Sequence, residues 1–305
     1  TPLFGLIGLL LSFGLIPFMR QEKKLLFLAF MYFTLAFPVA YVIYKKSVLY
    51  DTMRHFFFVY PSIIILSGLA FNYFINLLNK NLKYGIVAIL LVLIALPARF
   101  MFANHPNEYV YFNEIVGGIK GAFGNYETDY YMNSAKQCAD WMREHENLKQ
   151  PDGRKTRIYT NAVAPVGFYF KSDSDKVAPV GYASYRQRSE KDADYEIMYC
   201  RFVDRDLLLN GCFPPEQTIH TVYADGVPLS CVIKKTDRGD YLGQEMMSKG
   251  DFVGAISLLE PYSQKYPKNE TVLANLGLCY LNANRFDDAA RVLNQSMQLI
   301  KENYQ

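Results

Sequence analysis

The first third of the chain holds four apolar runs, residues 2–19, 25–44, 56–78 and 84–103, separated by short polar knots. A hydrocarbon core of about 30 Å takes roughly 20 apolar residues in a helix, so each run is expected to span a bilayer. In lipid the backbone must satisfy its own hydrogen bonds, and helices are the form that single runs of this kind can take. After Ala103 the sequence turns mixed and polar, and no such run returns. The overall figures, 51% hydrophobic and 20% charged, hide this division because they average a lipid-soluble third with a water-soluble remainder. The expected fold is a polytopic α-helical membrane region of four spans at 1–103, a small α/β domain at 104–235, and a helical repeat pair at 236–305.

Orientation follows from loop charge. The knots at 20–24 and 79–83 share a side and carry Arg20, Lys23, Lys24, Lys80 and Lys83, while the knot at 45–55 carries Lys45, Lys46 and Arg54. Five basic residues against three favour the first pair in the cytoplasm. The fourth span then exits outward and sets residues 104–305 on the extracytoplasmic side. Tyr41, Tyr44, Tyr73 and Phe74 lie near run ends, where interfacial aromatics are expected. The run at 2–19 follows Thr1 directly and reads as an interior span, so the chain is expected to be cut from a longer parent.

In the soluble half, Ala135, Cys138, Ala139, Trp141 and Met142 recur at helical spacing within 133–146. Residues 157–160, 166–170 and 195–202 are rich in aromatic and β-branched types and read as strands, with a short helix near 204–209. Asp225-Gly226 between 218–223 and 228–234 is a hairpin signal. None of the five cysteines (Cys138, Cys200, Cys212, Cys231, Cys279) forms a CxxC pair, so no zinc site is expected. Buried free thiols are the simpler reading, and Cys200–Cys212 is a pair that an oxidising compartment would permit.

The last 70 residues repeat. Leu242-Gly243 recurs as Leu276-Gly277, Phe252 and Ala255 as Phe286 and Ala289, and Leu259 as Leu293, every offset being 34 residues. That is the period of tetratricopeptide helix pairs, and both repeats resemble that family, with Gly239 and Leu273 where an early aromatic is usual. The resemblance implies a protein partner. Solenoids need about three repeats to bury a core, so the pair is expected to lean on the α/β domain or to continue past Gln305. Ending the chain after Lys235 removes no strand, and the α/β domain is expected to keep its fold.

The candidate site lies in the knot at 45–55. Tyr50, Asp51, Arg54 and His55 precede Phe56, Phe57 and Phe58 at the mouth of a span, with Lys45 and Lys46 nearby. An Arg can grip a phosphate with two parallel hydrogen bonds and a His can add a donor. The same residues would also serve simply to anchor a helix among headgroups. The glycines at 117, 118, 121 and 124 meet no phosphate-loop pattern. His105 and His220 lack ligand-spaced partners, and acids neutralise the basic residues around 182–191, so neither a metal nor a nucleic acid is expected.

Residues 50–61 resemble the Arg-His-aromatic-Pro segment before a late span of family 39-type membrane glycosyltransferases, relatives of protein mannosyltransferases and lipid A aminoarabinose transferases. Residues 105–113 with Gly117-Gly118 resemble the segment after the final span in bacterial members. Asp129-Tyr130 matches the family's acid–aromatic pair, with Tyr131 where Trp is common. The resemblance implies an extracytoplasmic active site at a bacterial inner membrane, a polyprenyl-phosphate sugar donor, and no cofactor. It assigns the donor phosphate to Arg54, His55, Lys45 and Lys46, and site lining to Tyr50, Asp51, His105 and Asp129. The family's catalytic carboxylates lie in an early loop, upstream of this chain. The alternative is a noncatalytic, membrane-anchored scaffold whose repeats recruit a protein.

Overall fold

The structure, a computed structural model, describes residues 1–18, 22–49 and 52–300, without the side chains of residues 18 and 52–54. It divides into two compact units, Thr1–Gly121 and Ala122–Gln305.

The first unit is helical. The first apolar run forms α1 (Leu3–Ser12) and then tightens into a 3-10 turn, Phe13–Phe18, with Pro17 inside it. Pro17 has no N–H to give to the preceding turn, which opposes a continuous α-helix there. The other runs form α2 (Glu22–Lys45), a 3-10 turn (Thr52–Val59) leading into α3 (Tyr60–Asn76), and α4 (Lys80–Ala103). The spans Glu22–Lys45, His55–Asn76 and Lys80–Ala103 are long and apolar enough to cross a membrane; the helix from the first run is shorter.

Small residues bring α1 against α3. A Cβ on Gly8 would lie 2.4 Å from Ser67 Cβ, and Ser67 Oγ donates to Gly5 O at 2.8 Å. Such close backbone approach is how helices associate where lipid removes the hydrophobic drive. Side-chain hydrogen bonds fix the neighbours: Ser12 Oγ and Tyr32 Oη are 2.7 Å apart, and Thr34 Oγ1 and Ser62 Oγ 2.8 Å. Leu15, Leu28, Met31, Leu66 and Ala70 fill the centre. In contrast, α4 buries only Pro97. It is apolar along most of its length and long enough to cross a membrane.

The second unit is built on a five-stranded mixed sheet of order β2-β1-β3-β5-β4. Its strands are β1 (Ile158–Thr160), β2 (Gly181–Tyr182), β3 (Tyr195–Tyr199), β4 (Thr218–Ala224) and β5 (Val227–Lys234). β1 pairs in parallel with β2 and β3, and β5 runs antiparallel to β3 and β4. The β4–β5 turn places Asp225 at φ +46° and Gly226 at +79°, as a two-residue turn of that type requires. After the short helix α5 (Gly118–Ala122), α6 (Ser134–His145) lays Ala135, Cys138, Ala139 and Met142 on the sheet.

One expected strand is a helix. Residues 166–170 belong to α7 (Val163–Phe170), not to the sheet. Burial there repeats every four residues, with Val166 and Phe170 inside and Phe168 71% exposed. That is a helical period; the aromatic and β-branched composition shared with strands masked it. The strand at 195 ends at Tyr199, and Cys200–Phe202 closes as a 3-10 turn before α8 (Arg205–Leu209). All five cysteines are buried free thiols.

The repeats form α9 (Gly239–Ser248), α10 (Phe252–Lys265), α11 (Glu270–Asn282) and α12 (Phe286–Leu299). Their equivalence is atomic. A Cβ on Gly243 would meet Leu259 Cδ2 at 2.4 Å, and one on Gly277 would meet Leu293 Cδ2 at 2.4 Å. Residues 34 apart thus make the same contact, and only glycine lets each helix pair close to that distance.

The repeats do not merely lean on the sheet domain. Arg188, 3% exposed, forks onto fully buried Glu270 with bonds of 3.0 and 2.7 Å. Arg188 also donates to Asn269 Oδ1 at 3.2 Å, and Lys235 pairs with buried Asp240. Gln217 Nε2 donates to Tyr262 Oη at 3.0 Å and Thr271 Oγ1 to Arg186 O at 3.1 Å. Ile300 joins the core of Tyr185, Leu207 and Phe213. These contacts argue against the expectation that the repeats are separable after Lys235, because the cut would strand buried charges.

Period 2 along β3 adds a third element. Tyr195, Ile197 and Tyr199 face the α6 side, so Glu196 faces the repeats. Glu196 is fully buried and neither carboxylate oxygen has a hydrogen-bond partner among the described residues. Burial pushes its pKa up to about 7, with Lys235 and Arg188 opposing and Asp240 adding to the rise. Below the ordinary carboxylate range both folded and unfolded chains hold the proton and there is no penalty. From about pH 4.5 to about 7 the unfolded chain ionises first, so stability falls by about 1.4 kcal/mol per unit, about 3 kcal/mol in all. Glu196→Gln is expected to flatten this fall and to be the more stable protein at pH 8. Urea midpoints at pH 5 and pH 8 check it; a variant-minus-wild-type difference that does not change with pH would remove Glu196 as the source.

Candidate functional site

Chain direction decides which candidates share an end of the helical unit. α1 and α3 run side by side in the same sense, and α2 returns against α3, with Thr34 level with Ser62. The end of α2, the turn before α3 and the segment after α4 therefore lie together. Asn113 Nδ2 donates to Thr1 O at 2.9 Å, tying the post-α4 segment to the start of α1. Tyr111 meets Phe100 edge-on at 5.4 Å. Burial, then Glu114, push the Tyr111 hydroxyl up to about 12.

The predicted residues distribute as follows. Lys45 is the last residue of α2 and is exposed, its ammonium 5.7 Å from the Tyr44 ring centre. Lys46 follows at φ +50° and is also exposed. His55 is exposed in the 3-10 turn. Tyr50, Asp51 and the Arg54 side chain lie outside the described residues. His105, with a side chain 76% exposed, pairs with Glu108, and that hydrogen bond holds the Glu108 carboxyl below its usual range. Lys45, Lys46, His55 and His105 thus sit at one end of the unit, exposed and basic, beside an aromatic turn. Such an end can attract an anion at a membrane surface.

Asp129 belongs to the second unit and is fully buried. It sits at φ +52°, a conformation Asp tolerates better than most residues, and accepts a hydrogen bond from Ser134 Oγ at 2.5 Å. Beside it Thr128 Oγ1 and Cys200 Sγ are 3.1 Å apart, and Arg201 binds Glu127 at 3.2 Å. These groups flank a hollow of about 280 Å³ lined by Asn125, Glu127, Arg201 and Arg205. Asp129 is not among its lining residues. Its geometry shapes the loop before α6.

Sequence reading missed a ring stack. His145 and His220 both lie nearly parallel to the Trp141 indole, at 4.7 and 4.6 Å. Burial and then His145 lower the His220 pKa. Its only sequence signal was the helical spacing of Trp141 and His145; His220 arrives from β4. Among the described residues no group of three or more His, Cys, Asp or Glu side chains is placed to hold a metal ion.

On the repeats, α9 and α11 stand side by side, with Asn275 Nδ2 donating to Gln244 Oε1 at 2.7 Å. α11 leaves Leu278 and Leu281 exposed, 48% and 40%. Stacked repeats of this kind create extended binding surfaces.

The tetratricopeptide repeat family model matches residues 246–299. The C-terminal helices are therefore tetratricopeptide repeats, attached to a small mixed-sheet domain in a chain whose described residues include three helices of membrane-crossing length. No curated protein and no solved structure matches the chain.

Proposed function

We propose that this chain is the C-terminal portion of an integral membrane glycosyltransferase that takes its sugar from a polyprenyl-phosphate donor. The reading sets the active side outside a bacterial inner membrane, counts the first run as a fourth span, and assigns residues 104–235 and 236–305 to the outer domain and its repeats. The observation that supports it most is the convergence of two segments that separately resemble family 39-type enzymes. Residues 50–61 and 105–113 are distant in sequence, yet chain direction and the Asn113–Thr1 hydrogen bond bring the start of α3 and the segment after α4 to one end of the helices. Arg54, His55, Lys45 and Lys46 hold the donor phosphate, Tyr50, Asp51 and His105 line the approach, and the catalytic carboxylate comes from upstream. Asp129 orders the loop before α6.

The test is sugar transfer by the parent protein from a polyprenyl-phosphate donor. Losing a desolvated partner of phosphate costs about 2–5 kcal/mol, so Arg54→Ala should slow transfer by about thirtyfold or more. Arg54→Lys keeps the charge but not the fork and should fall between Ala and wild type. Wild-type turnover in a well-expressed Arg54→Ala protein would end the assignment.

A second reading has its own observation. The repeat match and the exposed Leu278 and Leu281 favour a membrane-anchored scaffold that recruits a protein. A parent that transfers no sugar, yet retains a partner that Leu278→Glu with Leu281→Glu releases, would establish it in place of the first.

A further inference from the structure

At the opposite end from Lys45, α2 and α3 part to leave a groove of about 510 Å³. Its walls are Phe27, Leu28, Leu69, Tyr73 and Leu77, and its mouth carries Lys23, Lys24, Asn72 and Asn76. A ladder of hydrogen bonds runs up one wall: Asn76 Nδ2 to Asn72 Oδ1 at 3.2 Å, and Lys83 Nζ to Asn76 Oδ1 at 2.9 Å. The ladder brings a third cation, from the start of α4, to the same mouth. Lys23 and Lys24 are exposed and make no ion pair among the described residues, and no carboxylate lines the groove. From Leu69 to Leu77 the groove runs about 12 Å along α3 at 1.5 Å per residue.

These features sort by depth. Phe27, Leu28 and Leu69 lie toward the middle of the helices, Asn72, Tyr73, Asn76 and Leu77 nearer the mouth, and the ammonium groups at the rim. A molecule that fits must be amphiphilic, with an apolar tail and a negative head, and the head must accept several N–H donors at once. A phosphate does so; a zwitterionic head brings its own cation against three lysines. Lysines near the surface of an anionic leaflet draw its lipids toward them, and the groove adds apolar contact that a flat helix face lacks.

We propose that this groove binds one anionic phospholipid, with the phosphate held by Lys23, Lys24 and Lys83 and an acyl chain laid against Phe27, Leu69, Tyr73 and Leu77. The site is distinct from the donor end at Lys45 and His55 and rests only on the membrane part of the proposed function. The bound lipid fills the gap between α2 and α3 and ties both to α4, which otherwise buries little.

The experiment uses the whole chain in nanodiscs of phosphatidylcholine with a minor fraction of phosphatidylglycerol, followed by release into detergent and native mass spectrometry. Wild type is expected to retain one phosphatidylglycerol at least about tenfold over its share of the mixture. Lys23→Gln with Lys24→Gln should bring retention down to that share, and Leu69→Trp, which fills the groove and leaves every lysine, should do the same. Lys80→Gln, a charge at the same end outside the groove, should leave retention intact. Helix content by circular dichroism confirms that each variant is folded. Equal retention of both lipids by wild type overturns the proposal, as does full retention by the double lysine variant. Loss on Lys80→Gln equal to that on the double variant reduces the effect to general surface charge and also overturns it. Displacement by soluble glycerol phosphate at equal concentration would show headgroup binding without the chain and overturn the groove's part. A protein that does not enter nanodiscs refutes the membrane reading itself, a result separate from all of these.

Discussion

Arg188→Ala is expected to destabilise the second unit by about 3–5 kcal/mol, the cost of leaving a buried carboxylate without its partner. Arg188 and Glu270 are 3% and 0% exposed and joined by two parallel bonds, so neither charge has water to fall back on. Burial works against the Arg188 charge, and Glu270 together with the Tyr185 ring, 4.1 Å from the guanidinium, more than offsets it. Glu270→Ala should cost a similar amount, because it strands the cation instead. Replacing both, Arg188→Met with Glu270→Leu, should recover much of the loss, since apolar residues of similar volume often substitute for a buried pair at little cost. In thermal unfolding the single variants should fall by about 6–20 °C, taking roughly 2–4 °C per kcal/mol for a unit of this size. Single variants within 1 kcal/mol of wild type would mean that water reaches the pair and that its burial is not maintained in solution.

Ending the chain at Lys235 should have the larger effect: loss of the folded sheet domain. The cut removes Glu270 and Asn269 from Arg188, Asp240 from Lys235, and Leu299 and Ile300 from the core around Tyr185, Leu207 and Phe213. It leaves Arg188, Lys235 and the unpartnered carboxylate of Glu196 on a face that was dry. It also frees Gly211 O from Lys268 and Asn210 from the Leu299 carbonyl. Hydrogen exchange comparing chains 1–305 and 1–235 reads the result directly. Amides of β3 and β5, central in the sheet, should pass from protected to rapidly exchanging. Protection retained in β3 and β5 would show that the sheet and α6 stand alone, and that the buried charges are tolerated once solvated.

The two results bear on function. The repeat pair buries a core of its own around Leu259, Leu276 and Tyr280, and paired charges and Ile300 join it to the sheet domain. Whatever binds at Leu278 and Leu281 therefore acts on a surface rigidly continuous with the sheet.

What the sequence determined by itself were the features written in local spacing. Apolar runs of spanning length became α2, α3 and α4 because composition alone makes a helix insoluble on every side. The 34-residue offset became two superposable helix pairs because Gly243 and Gly277 meet Leu259 and Leu293 in the same way. Asp225-Gly226 became the hairpin because its turn needs positive φ at both positions.

Tertiary structure decided the rest. Residues 166–170 belong to α7, with Val166 and Phe170 buried one turn apart, a pairing that becomes visible only once the helix packs. Glu196 looked like an ordinary strand residue, and only the docking of the repeats over β3 made it a buried acid. Arg188 and Glu270 are 82 residues apart, and nothing in either neighbourhood announces the other. The lipid groove escaped reading for the same reason. Its lysines come from two knots and its amides from a helix end, and they share a mouth only because α2, α3 and α4 pack in register. Local spacing fixes which elements form, whereas a site made of distant charges exists only once packing removes the water between them.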